Sequence, residues 1–233
     1  PPSTNLPQAL NLQPFARYLA NYGETEARAL LAGSSLTANV HGRALESDDR
    51  WQGCLVVPAF DESLDTLQKQ IDALAAKQVL LILVINAPQN AAPEALQRTQ
   101  DLYNQITAAG YAYVIVVDRV SAPWRLNPKQ GVGLARKIGT DLALALIEQG
   151  RIHSPWILQT DADVALPPTY TDLVHEASQQ IRSGVKIFPH THFSEDPTLH
   201  FAARLYDQHM DYYVAGLSAA GSSYAHHSLG STI

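Results

Sequence analysis

The chain has 233 residues, 46% of them apolar and 16% charged, with one cysteine and a net charge of −6. A chain of this length forms one large domain or two small ones and can bury roughly 70–75% of its unfolded surface, so it needs neither disulfides nor a structural metal. The acidic balance argues against a nucleic-acid partner, and the lone Cys54 excludes disulfide frameworks and cysteine-rich zinc modules. The longest apolar run, the seven residues 79–85, falls far short of the ~20 that span a bilayer. No charged-then-apolar signal segment opens the sequence, so a cytoplasmic location is expected. It starts at Pro1 and its one methionine is Met210, which leads us to expect a fragment.

Residues 1–50 read as a peripheral, partly helical extension. Pro1, Pro2, Pro7 and Pro14 favour an extended arm. Two short helical patterns follow at 15–21 and 24–31, and then a polar stretch closes at Asp48, Asp49 and Arg50. Residues 51–233 read as one α/β domain. Cys54, Leu55, Val56 and Val57 form a β-type run that Pro58 should stop. Leu64, Leu67, Ile71 and Leu74 are spaced 3, 4 and 3 apart, which predicts a helix. Residues 79–85 are a second buried strand, ended by Asn86, Ala87 and Pro88. A helix led by Pro93 follows, then a strand at 111–117, a helix from Gly131, a strand at 156–158, a helix at 167–181 and a strand at 185–188. Strands that are apolar throughout and alternate with helices predict a mostly parallel sheet covered on both faces.

In such sheets ligands bind beyond the carboxyl ends of the strands. There the sequence carries Pro58, Ala59, Phe60, Asp61 and Glu62; Asn86; Asp118 and Arg119; and Asp161, Ala162 and Asp163. Asp and Asn also favour turns and caps, a reading that stays open for each of them singly. Asp161 and Asp163 would project to one side of an extended segment. Two such carboxylates call for a cation, and hard oxygen donors suit Mg²⁺ or Mn²⁺.

Around Gly131 and Gly133 the backbone can be approached closely. Arg136 and Lys137 would add positive charge near a helix start, an arrangement suited to phosphates. A dinucleotide fingerprint is not met, because Arg136 stands where a third glycine would be.

Together these residues resemble the family 2 glycosyltransferases, whose nucleotide-sugar-binding fold is the Rossmann-like GT-A type. Val57, Pro58, Ala59, Phe60, Asp61 and Glu62 resemble the family's first strand and its Pro-aromatic-Asn-Glu turn. Residues 131–139 resemble the Gly-x-x-x-Ala-Arg-x-x-Gly helix, and Asp161, Ala162 and Asp163 the metal-binding Asp-x-Asp. The likeness runs from about residue 53 to 185 with the three motifs in order. It implies a nucleotide-diphosphate sugar donor and transfer of its sugar to an acceptor hydroxyl with Mg²⁺ or Mn²⁺. It also implies that Pro58, Ala59, Phe60 and Glu62 line the base and ribose pocket, and that Asn86 stands where an aspartate often contacts the base. Arg136 would lie by the diphosphate, Asp161 would reach the donor sugar or ribose, and Asp163 would bind the metal.

Two departures accompany the likeness. The second strand runs into Asn86, Ala87, Pro88 and Gln89 in place of an Asp-Asp-Gly-Ser turn. No later acidic motif matches the family's catalytic base, which is therefore expected beyond Ile233. Six of the nine histidines fall in the last 44 residues. His226 or His227 could complete a metal shell, as a downstream histidine does in several members of the fold, and His227 is the one carried forward. His190 and His192 would share one side of an extended segment, as a metal pair or as a polar strand end. A helix at 198–217 would bury Phe201, Leu205, Met210, Tyr213 and Leu217 in a core and separate His200 from His209 by about half a turn.

Two other functions are weighed against transfer. A haloacid-dehalogenase-type phosphatase also places Asp-x-Asp after a strand, but Ala165 and the lack of a later acidic cluster fit it poorly. A non-catalytic nucleotide-sugar-binding domain would explain the missing base and the altered second turn.

Overall fold

A computed structural model describes residues 13–33, 38–42, 50–167, 169–172 and 184–226. It divides into two compact units, residues 1–182 and 183–233. In the first unit, α1 (Gln13–Tyr22) and α2 (Thr25–Leu31) precede a short strand, β1 (Val40–His41). Then come β2 (Gly53–Ala59), α3 (Leu64–Ala76), β3 (Val79–Asn86), α4 (Pro93–Ala109), β4 (Val114–Arg119), α5 (Gly131–Glu148) and β5 (Ile157–Gln159). A single 3-10 turn spans Tyr170–Asp172. The expected helix at 167–181 begins as this turn, and residues 173–183 lie outside the described part.

The sheet order is β1-β4-β3-β2-β5. β2, β3, β4 and β5 are mutually parallel, and β1 runs antiparallel on the β4 edge. The chain is therefore an α/β protein with a mostly parallel mixed sheet. Every residue of β2 and β3 is buried, as strands covered on both faces require. In the ladder register Cys54 lies beside Leu80, Val56 beside Ile82, and Ile82 beside Ile115. This row meets Ala135, Ile138, Leu142 and Leu146 of α5, with Leu19, Ala27 and Leu30 of the first two helices behind them. The alternate row faces α3 and α4, because successive side chains point to opposite faces. Gly139 permits the close α5 contact: a Cβ there would lie 2.4 Å from Val56 Cγ1.

Local signals fix the helix ends. Ser63 caps α3 by accepting from the Thr66 amide. Pro93 opens α4, and Gly110 closes it in the left-handed region at φ 58°.

Several expectations need correction. Pro58 does not stop the first strand. The Thr160 amide donates to Val56 O, so even-numbered residues of β2 turn their backbone polar groups toward β5. β5 pairing ends at Val56–Gln159, so the N–H that Pro58 lacks would have faced a side with no ladder. The strand expected at 185–188 is absent. Residues 184–195 have no regular structure, and Val185 is 72% exposed. The fifth strand of the sheet is β1 instead, from the polar stretch of the expected peripheral extension.

In the second unit, α6 (Pro197–Ala219) is capped by Asp196, which accepts from the Thr198 and Leu199 amides. The helix is close to its expected range, but none of its residues is buried, and Phe201, Leu205 and Tyr213 are half or more exposed. Its apolar stripe is not a core within that unit. No helix among the described residues is long and apolar enough to cross a membrane.

Candidate functional site

The four parallel strands lie in the order third, second, first, fourth. From β2 the chain moves one way, to β3 and β4, and then crosses back past β2 to lay down β5. The switch point is therefore between β2 and β5, and ligands of such sheets bind outside the carboxyl ends of those two strands. Those ends carry Phe60, Asp61 and Glu62 on one side and Thr160, Asp161 and Asp163 on the other.

After β2, Pro58 and Ala59 are buried within the strand, whereas Phe60 is 37% exposed. Asp61 sits at φ 62° and turns toward α4. Its carboxylate takes a two-pronged grip from Arg98, at 2.6 and 2.9 Å, and its amide donates to Thr99 Oγ1. That pairing lowers the Asp61 pKa. Glu62 is half-buried, and its pKa is raised, first by burial and then by the charges of Asp163, Asp61 and Asp161. These carboxylates therefore lie within electrostatic reach of one another.

After β5 the chain does not run extended through Asp161 and Asp163, as their same-side reading required. Residues 162 and 163 form a turn closed by Val164 N to Asp161 O at 3.4 Å, with Ala162 buried beneath it. Gln70 of α3 braces this turn from below, its Nε2 donating to Val164 O at 2.9 Å and Ala162 O at 3.3 Å. Sequence reasoning passed over Gln70, although a polar residue between Leu67, Ile71 and Leu74 on the buried stripe was a signal. Asp163 is exposed and makes no hydrogen bond or ion pair with the described residues. Asp161 pairs with Arg136 Nη2 from the second turn of α5. Among the described residues, neither the buried Arg136 Nε nor the hydroxyl of Thr160 has a hydrogen-bond partner. Gly131, at φ 50°, and Gly133 have open space where a Cβ would stand, so the first turn of α5 is accessible.

Other expected members are occupied elsewhere. Asn86 is buried and commits its amide to Ala59 O and Val84 O, both at 3.2 Å. Asp118 is buried and caps a turn, accepting from the Val120 and Ser121 amides at 2.9 and 2.8 Å. For Asp118 the turn-and-cap reading holds. Lys137, expected beside Arg136 as a phosphate contact, points the other way. It binds Asp141 at 2.6 Å, Glu24 at 3.0 Å and Tyr22 O at 2.7 Å, and Asp141 also accepts from the Tyr18 hydroxyl and the Glu24 amide. His227 lies outside the described residues, and no structural role is assigned to it.

Among the described residues no group of three or more His, Cys, Asp or Glu side chains converges to hold a metal ion. The donor chemistry nevertheless fits a hard cation. Mg²⁺ commonly takes one or two carboxylates and completes its octahedron with water and phosphate oxygens. The exposed Asp163, with Glu62 beside it, is a donor set of that kind.

The fold and this edge define a class: an α/β protein of Rossmann-like strand order whose switch point carries an acidic turn paired with a half-buried arginine. Comparison with protein-family models, curated proteins and solved structures finds no match to the chain.

Proposed function

We propose that the chain is the donor-binding α/β domain, of GT-A type, of a metal-dependent glycosyltransferase. The observation that carries this reading is the Asp161–Arg136 pair at the carboxyl ends of β2 and β5, with Glu62 and Asp163 in electrostatic reach. In this reading Asp163 is the direct ligand of Mg²⁺ or Mn²⁺. The ion, when bound, neutralises the departing diphosphate as a Lewis acid. Arg136 holds Asp161 oriented toward the donor ribose or sugar, and its guanidinium is the positive group nearest the place of the diphosphate. Phe60 and Glu62 flank the base and ribose. Pro58, Ala59 and Asn86, all buried, shape the floor rather than present side chains. The acceptor hydroxyl attacks the anomeric carbon, and no residue of this chain is assigned as its base. The reading keeps the cytoplasmic location expected from the sequence.

Calorimetry with Mn²⁺ and UDP-, GDP- and dTDP-sugars tests it. One of them should bind only with the ion present, and Asp163→Ala should abolish that binding. Saturation at 100 times the dissociation constant should stabilise the fold by about 2.7 kcal/mol. Failure of every donor to bind with Mn²⁺ removes the proposal. A second reading, a nucleotide-sugar binder without turnover, is favoured by the commitment of the Asn86 amide to backbone. Binding without hydrolysis or transfer would select it. The phosphatase reading needs Asp161 as a free nucleophile, and the Arg136 pair works against that.

A further inference from the structure

The second unit holds a histidine cluster that the donor site does not use. His192 is fixed twice by one carboxylate of α6: its Nδ1 lies 2.5 Å from Asp207 Oδ1, and its amide donates to Asp207 Oδ2 at 3.0 Å. A carboxylate that takes the Nδ1 proton sets the tautomer in which Nε2 carries the free lone pair, the form in which histidine binds metals. His190 stands beside His192 with ring centroids 5.5 Å apart, at 80° to one another. Two imidazoles that share one tetrahedral ion through bonds of about 2.0–2.1 Å hold their ring centres roughly 5 Å apart. Tyr206 also packs against the His192 ring, with centroids 5.4 Å apart. This differs from the acidic turn in donor type. Imidazole nitrogen suits Zn²⁺, Ni²⁺, Co²⁺ and Cu²⁺, whereas carboxylate and water suit Mg²⁺ and Mn²⁺.

We infer that His190 and His192 form a binding site for a divalent transition-metal ion of the Zn²⁺ class, with Asp207 as the outer carboxylate that orients His192. Two protein nitrogens leave the remaining positions to water or to an exogenous ligand, so the site is open rather than structural. Its ion is distinct from the Mg²⁺ or Mn²⁺ of the donor site, and its test does not depend on that site.

The test is calorimetric titration of the full chain with Zn²⁺, together with the visible absorption of the Co²⁺ form. One ion per chain should bind. His190→Ala and His192→Ala should each remove it, and Asp207→Asn should weaken it 10- to 100-fold. Asp163→Ala should leave it intact. Far-UV circular dichroism of each variant checks that α6 persists. Absence of stoichiometric Zn²⁺ binding overturns the inference. So does binding that survives both histidine substitutions, or that is lost instead with His200→Ala or His209→Ala. Unchanged affinity in Asp207→Asn with α6 intact overturns the orienting role of that carboxylate.

Discussion

Two strands of the same sheet, β4 and β5, each run from apolar residues into an aspartate, yet the two ends differ. At the end of β4, Asp118 is buried and its carboxylate closes a turn, while the next residue, Arg119, meets Glu26 of α2 at 2.6 Å. Glu26 is 1% exposed and also accepts from Asn39 at 2.8 Å. At the end of β5, Asp163 is exposed and makes no bond with the described residues, and Asp161 pairs with the half-buried Arg136. The difference follows from topology. β1 and α2 cover the β4 edge, so polar groups there must pair internally or leave a buried charge. The β2–β5 end lies where crossovers diverge, and there Phe60, Asp61 and Asp163 are exposed. An acid after a strand points to function only where its bonding capacity is left over, and strand order says where that is.

The comparison can be broken by substitution. The largest effect should come from Glu26→Ala, which leaves the largely covered Arg119 without its buried partner and should destabilise the fold by about 3 kcal/mol in urea unfolding. Gly139→Ala comes next. Its methyl meets Val56 and Val84 and should lower stability by about 1–3 kcal/mol, with donor binding falling as α5 and Arg136 shift. Asp163→Ala should change stability by no more than about 0.5 kcal/mol while abolishing Mn²⁺-dependent donor binding. A large loss of stability in that variant would erase the contrast between the two ends.

The smallest effect concerns pH at Glu62. A carboxyl whose folded pKa lies above its ordinary value of 4.5 favours the folded state when protonated. Its unfavourable contribution grows as pH rises from the ordinary value through the folded one, and is then constant. Glu62→Gln should therefore be slightly more stable than the parent at pH 7, with the difference vanishing below pH 4. Mn²⁺ should narrow the gap by neutralising Asp163. A variant less stable at pH 7 than at pH 4, relative to the parent, would contradict this sign.

The four parallel strands and α3, α4 and α5 were legible because strands buried on both faces are apolar at every position and the helices keep one apolar stripe. β1 was not legible. Val40 and His41 carry no pattern of their own and become a strand only by meeting Val117 and Val116, a tertiary event. The apparent strand at 185–188 shows the converse, a β-prone segment of Val185, Lys186, Ile187 and Phe188 with no ladder partner among the described residues. Of the residues singled out by motif order and by the resemblance, the fold brings Glu62, Arg136, Asp161 and Asp163 to one region at the strand ends. Which neighbour each would bond depended on packing: Lys137 lies one residue from Arg136 on a helix that turns about 100° per residue, and so reaches α1 and α2 instead. Gln70 was missed because its role is to hold backbone carbonyls that no sequence pattern displays.

The bonds around Asp141 also bear on the order in which the molecule assembles. Tyr18 and Glu24 meet Asp141 across 123 and 117 positions of chain. Contacts so distant in sequence close late, after local helices and neighbouring strands have formed. During synthesis at about 5–20 residues per second, the first two helices must wait roughly 6–25 s for their anchor to leave the ribosome. Leu19, Ala27 and Leu30, fully or nearly fully covered in the finished fold, are exposed for that interval. The growing chain therefore exposes a transient apolar surface on α1 and α2, and docking of that surface onto α5 is expected to be the slow step that completes the sheet's second face.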